Sequence, residues 1–417
     1  MIIRFFYNLL LVLVSPILLF SLYKKKQGKP VFGSRWKEHF GFTQPLQAVE
    51  QPLWIHAVSV GEVIAATPLI KALKVKYPTT PILVTTTTST GAAQVEKLGS
   101  VVEHRYMPID FSWAVRRFLK TVRPQKMLIM ETELWPNTLN TVDSLNIPII
   151  VINARLSEKS FRNYQRIQPL FNLLAPNLAH VCCQYQDDAN RFEQLGISKD
   201  KLSITGSLKF DIQIPNDSTT AAKELRENLG HQRPVWIAAS THKGEDELVL
   251  EAHKIILEKL PNALLILVPR HPERFNAVFE LCTHHGFVVS RRTLANGTPQ
   301  HSQVYLGDTM GEMFTLIGAA DACFMGGSLL GSKVGGHNML EPIALGVPVV
   351  NGPSYYNFKE ISEQLLENNL MQLCHTPQDL AKLINQVFLN EHEKDKRHMR
   401  DFMKQHQGSI KKTLLHI

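Results

Sequence analysis

Short apolar runs recur along the chain and alternate with longer stretches in which apolar and polar residues are mixed. In the first half, the runs lie at residues 53–58, 82–86, 127–130, 149–152 and 181–184. The stretches between them include candidate helices at 65–77, 92–98 and 113–122. Strands that alternate with helices indicate right-handed crossovers and a parallel sheet.

The same alternation starts again in the second half. Residues 210–220 contain proline and polar residues without periodicity, which predicts a linker. The new apolar runs lie at 235–239, 263–268, 287–290, 304–306, 322–325 and 347–350. We therefore expect an α/β protein with two doubly wound domains enclosing a cleft, in which ligands bind beyond the carboxyl ends of the strands.

The N-terminus predicts membrane attachment. Residues 5–23, "FFYNLLLVLVSPILLFSLY", carry no charge, and three lysines, Lys24 to Lys26, follow. A spanning helix needs about 20 apolar residues. Lysines after the apolar run argue against a cleaved signal peptide and place the remaining chain in the cytoplasm. Because Asn8 and Pro16 interrupt the apolar run, a helix lying in the membrane interface stays open as the alternative.

Composition restricts the possible partners. A length of 417 residues, with 44% hydrophobic and 20% charged residues, is typical of a globular protein of two domains. The net charge of +8 favours an acidic partner. The sequence lacks interleaved basic and aromatic clusters, which argues against nucleic acid. Five cysteines without a CxxC pattern indicate a reducing compartment.

Polar residues follow the predicted strands of the first half, in the segments "SVGE" and "ETELWPN". Glu62 is either a first-turn glutamate that complements the helix dipole or a general base. If strand alternation continues, either Glu131 or Glu133 points into the cleft, with a structural salt bridge as the alternative for both. Lys209 lies between apolar residues near the linker, which favours a partly buried amine over a solvated one.

The second half carries a different set of candidates. Arg270 and His271 follow a strand, where an arginine can donate two hydrogen bonds to a phosphate or carboxylate. Gly311 would let the backbone approach a ligand closely. Asn338 and Glu341 follow a glycine-rich loop, and they form either a helix capping box or a site for nucleotide ribose hydroxyls.

Several common motifs are absent from the sequence. It contains no P-loop, GxGxxG, HExxH or GxSxG pattern, no histidines at metal-ligand spacing, and no DxD pair. The missing motifs argue against a kinase, an NAD enzyme and a zinc hydrolase, and no cofactor or metal is expected.

A series of short motifs spans nearly the whole chain in the order "SVGE", "METELWPN", "NARLS", "TGSLKFD", "VPRHPERF", "GDTMGE", "GGS" and "GGHN-LE". In the order and spacing of these motifs, the chain resembles the 3-deoxy-D-manno-oct-2-ulosonic acid (Kdo) transferases of Gram-negative bacteria. The resemblance implies a GT-B fold, in which two Rossmann-like domains face each other across a cleft. The domains expected are an anchor at 1–26, an acceptor domain at 27–214, a CMP-Kdo-binding domain at 215–395, and a C-terminal helix at 396–417 that packs on the acceptor domain.

The resemblance also implies the reaction and its residues. Kdo would pass from CMP-Kdo to the tetra-acylated lipid A precursor at the cytoplasmic face of the inner membrane, without a metal. Glu62 would accept the proton, and Glu131 and Lys209 would stabilise the transition state. The implied CMP site comprises Pro269, Arg270, Met310, Gly311, Glu312, Asn338, Met339, Leu340 and Glu341.

Two other functions fit the same residues. One is a GT-B-type epimerase or glycosyltransferase with a UDP donor, because a shared fold does not fix the donor. The other is a membrane-tethered scaffold that binds lipopolysaccharide, although a surface for phosphates would avoid Glu62 and Glu131. The sequence does not indicate the number of Kdo residues transferred or the oligomeric state.

Overall fold

In the computed structural model, the described residues are 2–24, 30–294, 301–389 and 393–417. They form two compact units, Met1–Asp211 with His406–Ile417, and Ile212–Gln405. The first unit thus ends shortly before the expected boundary at 214, and the chain returns to it later than expected. Lys25, Lys26 and the expected anchor boundary at 26 lie outside the described residues.

The first unit contains a parallel sheet of seven described strands in the order β3-β2-β1-β4-β5-β6-β7. The five predicted strands are present as β1, β2, β4, β5 and β6. The sequence did not predict β3 and β7, because these short outer strands are mostly partly exposed and lack an apolar run. The strands are β1 Leu53–His56, β2 Ile82–Thr86, β3 Glu103–Tyr106, β4 Lys126–Met130, β5 Ile149–Ala154, β6 His180–Cys183 and β7 Leu202–Ile204.

Helices cover both faces of this sheet and bury two apolar clusters against it. The helix after β1 begins at Val60, earlier than the predicted start at residue 65, because Ser59 caps it. Pro68 lies inside that helix. The helices are α1 Ile2–Tyr23, α2 Val60–Lys76, α3 Ser89–Glu96, α4 Ser112–Val122, α5 Pro136–Asp143, α6 Glu158–Arg166, α7 Gln168–Leu174 and α8 Gln186–Gln194.

The second unit has a parallel sheet of the same design, with seven described strands in the order β10-β11-β9-β8-β12-β13-β14. The predicted linker at 210–220 is wrong in its second half, because helix α9 begins at Asn216. The strands are β8 Val235–Thr241, β9 Leu264–Pro269, β10 Val289–Arg291, β11 Val304–Leu306, β12 Ala322–Met325, β13 Val349–Asn351 and β14 Met371–Leu373. The helices are α9 Asn216–Leu229, α10 Asp246–Lys259, α11 Phe275–His284, α12 Met313–Gly318, α13 Leu340–Leu345, α14 Lys359–Glu367, α15 Pro377–Leu389 and α16 Glu393–His406.

The C-terminal segment packs on the first unit through helix α17, Ser409–Thr413. The carboxylate of Asp211 accepts hydrogen bonds from the backbone N–H groups of Gly408 and Ile410. The Ser409 hydroxyl donates to the carbonyl of Ser207. A Cβ at Gly206 would lie 2.7 Å from the Ser409 oxygen, so this close contact requires glycine.

Candidate functional site

Glu62 lies where the first sheet reverses its strand order, between β1 and β4. It belongs to the first turn of α2, which follows β1. Its carboxylate accepts hydrogen bonds from the Val58 N–H at 2.9 Å and from the Ser59 hydroxyl at 3.0 Å. The side chain is therefore fixed at the carboxyl edge of the sheet, and the residue is only 8% exposed.

Burial is the largest influence on the pKa of Glu62 and raises it to about 7. The hydrogen bond from Val58 lowers the pKa, while the charges of Glu131 and Glu133 raise it further. A helix N-terminus favours the ionised form, but the loss of solvent outweighs it here. A carboxylate with a pKa near neutrality is suited to general base catalysis.

Glu131 follows β4 directly and has a left-handed backbone with φ of 56°. Its N–H still donates to the carbonyl of Ile152, which fixes this turn against β5. The expected alternation of Glu131 and Glu133 is wrong, because residues two apart in a strand point to the same face and because β4 ends at Met130, before both of them. Both carboxylates lie close enough to Glu62 to raise its pKa.

Lys209 reaches the same edge through a short 3-10 turn, Leu208–Phe210, which contacts α2. The Leu208 N–H donates to the Asn153 side-chain oxygen at 3.0 Å, and Asn153 lies in β5. Lys209 is partly buried, and its amine has no hydrogen bond or ion pair within the described part of the chain. Asn153 lies in the motif "NARLS", but nothing in the sequence pattern predicted that its side chain positions this turn.

In the second unit, a fully buried carboxylate organises the corresponding edge. Glu245 accepts hydrogen bonds from the N–H groups of Gly327, Ser328 and Leu329 at 2.6 to 3.0 Å, and from that of His242 at 3.3 Å. It thus holds the loop after β12 against the loop after β8. Burial raises the pKa of Glu245, although these hydrogen bonds lower it. The sequence analysis did not single out Glu245.

Histidines form the centre of this second edge. The Nε2 atoms of His242 and His337 lie 2.9 Å apart, and the His271 ring packs edge-on against His242. Burial lowers the pKa of His242 to about 4 and that of His337 to about 3, and the charge of Arg270 lowers both further. Both rings are therefore neutral at pH 7. The segments "STHKGE" and "GGHN" contained these histidines, but spacing alone gave no reason to pair them.

Arg270 lies next to this histidine pair, with its side chain exposed. Within the described residues, its guanidinium makes no hydrogen bond or ion pair. Its charge also lowers the pKa of Glu341, although burial of that carboxyl keeps the pKa raised overall. The structure therefore brings Arg270 and Glu341 together with His242 and His337.

The other predicted nucleotide-binding residues surround this group in different ways. Gly311 has φ of 84° with open space where a Cβ would be, and Met310 is exposed. Glu312 forms a two-point ion pair with Arg292. Three predicted residues have buried side chains, so only their backbones can contact a ligand: Pro269, Met339 and Leu340.

The predicted N-cap at Asn338 is wrong, because α13 begins at Leu340 with Met339 as its N-cap. The Asn338 side-chain oxygen nevertheless accepts from the Leu340 N–H at 3.2 Å, and its amide donates to Glu341 at 3.3 Å. Asn338 therefore orients Glu341.

Comparison with known proteins agrees with the motifs. Residues 34–212 match the family model of 3-deoxy-D-manno-octulosonic-acid transferase (kdotransferase). The chain is 39% identical to the 3-deoxy-D-manno-octulosonic acid transferase of Haemophilus influenzae, covering 94% of this chain and 92% of that protein. For the enzyme of Bordetella pertussis, the identity is 36%, covering 76% and 74%.

The fold is also similar to that of a solved structure. The structure superposes on the crystal structure of Anabaena HepE in complex with UDP with a TM-score of 0.52. The sequence identity is 15%, and the match covers 88% of this chain and 99% of the HepE chain. The expected GT-B class, with two Rossmann-like doubly wound units, is confirmed, as is the expected family.

Proposed function

The chain belongs to the 3-deoxy-D-manno-octulosonic acid (Kdo) transferases, glycosyltransferases of lipopolysaccharide biosynthesis, and on that premise we propose its donor, acceptor and mechanism. Kdo passes from CMP-Kdo to the tetra-acylated, bis-phosphorylated lipid A precursor at the cytoplasmic face of the inner membrane. The observation that carries the proposal is the Glu62 carboxylate, buried at a sheet edge with a pKa of about 7.

Glu62 removes the proton from the acceptor hydroxyl. The hydroxyl oxygen then forms a bond to the anomeric carbon of Kdo while the bond from that carbon to the CMP phosphate breaks. The electron pair leaves with CMP, and the configuration inverts. Because the pKa of Glu62 lies near the working pH, the base is ionised in a large fraction of the molecules and still accepts a proton.

Glu131 and Lys209 act on the charges that develop during transfer. The Lys209 amine, which has no partner among the described residues, neutralises the departing phosphate or the Kdo carboxylate. Glu131 stabilises the positive charge that builds up on the sugar ring as the bond to CMP lengthens. The negative charge of Glu131 acts at the position of Glu62, where it raises the pKa of that carboxyl, and this supports a role for Glu131 beside the reacting sugar.

The second unit binds CMP. Arg270 donates its paired N–H groups to the phosphate. Glu341, oriented by Asn338, accepts from the ribose hydroxyls. Gly311 offers open backbone, and Met310 and Glu312 flank it. Pro269, Met339 and Leu340 contribute through their backbones.

The reaction proceeds without a metal, because a monophosphate leaving group carries less charge than a diphosphate. Transfer should therefore continue after treatment with EDTA, and a loss that Mg²⁺ restores would contradict this part of the proposal.

The proposal is tested by incubating the purified full chain with CMP-Kdo and the lipid A precursor and measuring Kdo on the lipid. We expect transfer with CMP-Kdo, and protection from thermal unfolding by CMP but not by UDP. Replacing Arg270 with Ala should raise the KM for CMP-Kdo about 10- to 100-fold, since a charged hydrogen bond contributes about 1.5–3 kcal/mol. Protection by UDP alone, or an unchanged KM, would show that the donor site is assigned wrongly.

A further inference from the structure

Helix α1 has a docked face that is hydrogen-bonded to the rest of the first unit. Arg4 donates to the Asn140 side chain at 2.7 Å, Tyr7 donates to the Asp110 carboxylate at 2.8 Å, and Asn8 accepts from the Asn137 amide at 2.6 Å. The half-buried positions, polar and apolar, continue this docked face along the whole helix: Arg4, Tyr7, Asn8, Leu11, Val14, Ser15, Leu19, Leu22 and Tyr23. Their spacing of three and four residues is that of one helix face.

The contacts at the start of the helix are built into the folded unit. Asp110 is only 6% exposed and also accepts from the N–H groups of Asn137 and Thr138. Asn137 is fully buried and closes the segment "ETELWPN" that contains Glu131. Tyr7 and Asn8 therefore join a buried polar network that includes the end of this segment.

The far end of α1 is bonded to the same unit. The Tyr23 hydroxyl lies 2.9 Å from His39 Nδ1, and its ring packs against Phe32. A helix of this length is about 33 Å long, enough to cross the hydrocarbon layer of about 30 Å. A spanning helix would place its two ends on opposite sides of that layer, but both ends of α1 contact one folded unit.

The opposite face of α1 is apolar and exposed. With 22 residues and a mean hydropathy of 2.2, α1 is long and apolar enough to enter a membrane. None of its most apolar stretch is buried in the protein. The large exposed side chains are Ile2, Ile3, Phe5, Phe6, Leu9, Leu10, Val12, Leu13, Ile17, Leu18 and Phe20. These side chains are free to enter the acyl chains of a lipid layer while the half-buried face of α1 stays on the first unit.

We propose that α1 lies in the plane of one leaflet of an anionic phospholipid membrane, with its docked face on the first unit and its exposed apolar face among the acyl chains. The chain thus sits on one side of the membrane and does not cross it. This inference rests on the membrane attachment in the proposed function, and it is independent of the assignments of base and donor.

A group of aromatic and basic residues next to the Tyr23 end supports the choice of partner. Trp36, Phe42 and Trp113 are each at least 44% exposed. The Arg117 guanidinium lies 3.9 Å from the centre of the Phe42 ring and 5.5 Å from that of Trp113. Aromatic rings and cations are the side chains preferred at the headgroup level, and the net charge of +8 favours anionic lipid.

Spin labels on the full chain test the orientation. Single cysteines at Phe6, Leu13 and Phe20 carry the label in vesicles of phosphatidylethanolamine and phosphatidylglycerol, and their depth is measured by electron paramagnetic resonance. The parent chain, whose five cysteines are buried, serves as the labelling background. We expect all three labels at a similar depth of about 5–10 Å. A label at Leu13 near the bilayer centre, about 15 Å deep, with Phe6 and Phe20 near opposite surfaces would overturn the proposal.

A second measurement tests the docking itself. Tyr7→Phe removes the hydrogen bond to Asp110 and should increase amide hydrogen exchange in α1 about 2- to 10-fold, as expected for one hydrogen bond. Ser15→Ala is the control, because the Ser15 hydroxyl donates to Val12 within the helix. Equal exchange in both variants would contradict the docked face. Equal label depths without Kdo transfer would leave this inference intact and reject the proposed function.

Discussion

The two units carry the same short pattern at equivalent places, a glycine followed by a glutamate after a central strand. Gly61 and Glu62 follow β1, and Gly244 and Glu245 follow β8. Each of these strands lies where its sheet reverses strand order. Both glutamates are buried at the start of a helix, and burial raises the pKa of both.

Their hydrogen-bond partners separate the two glutamates. Glu245 is fully buried and receives backbone N–H groups from two loops, so its oxygens are committed to holding those loops. Glu62 accepts hydrogen bonds from one backbone N–H group and one hydroxyl. Its side chain is also slightly exposed, so its carboxylate can still take up a proton. This difference in donors is why we expect Glu245 to be structural and propose Glu62 as the base.

The largest expected effect comes from Glu62→Gln. The amide keeps the shape of the side chain but cannot accept the substrate proton, so kcat should fall about 10²- to 10⁴-fold. CMP affinity should stay unchanged, because the residues proposed to bind CMP belong to the other unit. Kdo transfer and CMP binding by calorimetry measure the two quantities.

Glu193→Gln is the matched control for that variant, since Glu193 is exposed in the same unit. It should leave both quantities unchanged. If Glu62→Gln retained near-normal turnover, Glu62 would be a second structural glutamate and the contrast with Glu245 would disappear.

A smaller effect of a different kind is expected for Glu245→Gln. The new amide N–H group would face backbone donors, so the loop after β12 should loosen. Hydrogen exchange at the amides of Gly327, Ser328 and Leu329 should accelerate about 10- to 100-fold, since hydrogen bonds to a charge contribute about 1.5–3 kcal/mol. Glu247→Gln, exposed in the same helix, is the control. Unchanged exchange at these amides would mean that Glu245 does not hold the loop.

The smallest effect concerns the pH dependence of transfer. Since the pKa of Glu62 is about 7, the base is protonated and inactive below that pH, and kcat/KM should rise as pH increases through 7. The charge of Glu133 raises this pKa, so Glu133→Gln should shift the rising limb to lower pH. Rate profiles between pH 5 and 9 measure the shift. A shift to higher pH would show that the neighbouring carboxylates do not raise the pKa of Glu62.

Much of the fold could be predicted from the sequence, because central parallel strands are buried on both faces and therefore appear as apolar runs. The outer strands β3, β7 and β14 could not, because they are short and lack such runs. The helix at Asn216 was hidden by its polar first turn, "NDSTT". For the site, motif order indicated Glu62, Lys209 and Arg270, whereas the contact between His242 and His337 joins residues far apart in the chain.

The sequence by itself determined the two-unit architecture, the family and the candidate residues, because periodicity and motifs are local properties of a chain. Only the tertiary structure decided how deeply those residues are buried and which partners they have. Three of the four backbone donors around Glu245 come from a loop after another strand, and the partners of Tyr7 and Asn8 lie more than 100 positions along the chain. Burial and hydrogen-bond partners, which set the pKa of Glu62 and the docked face of α1, arise only when distant segments pack together.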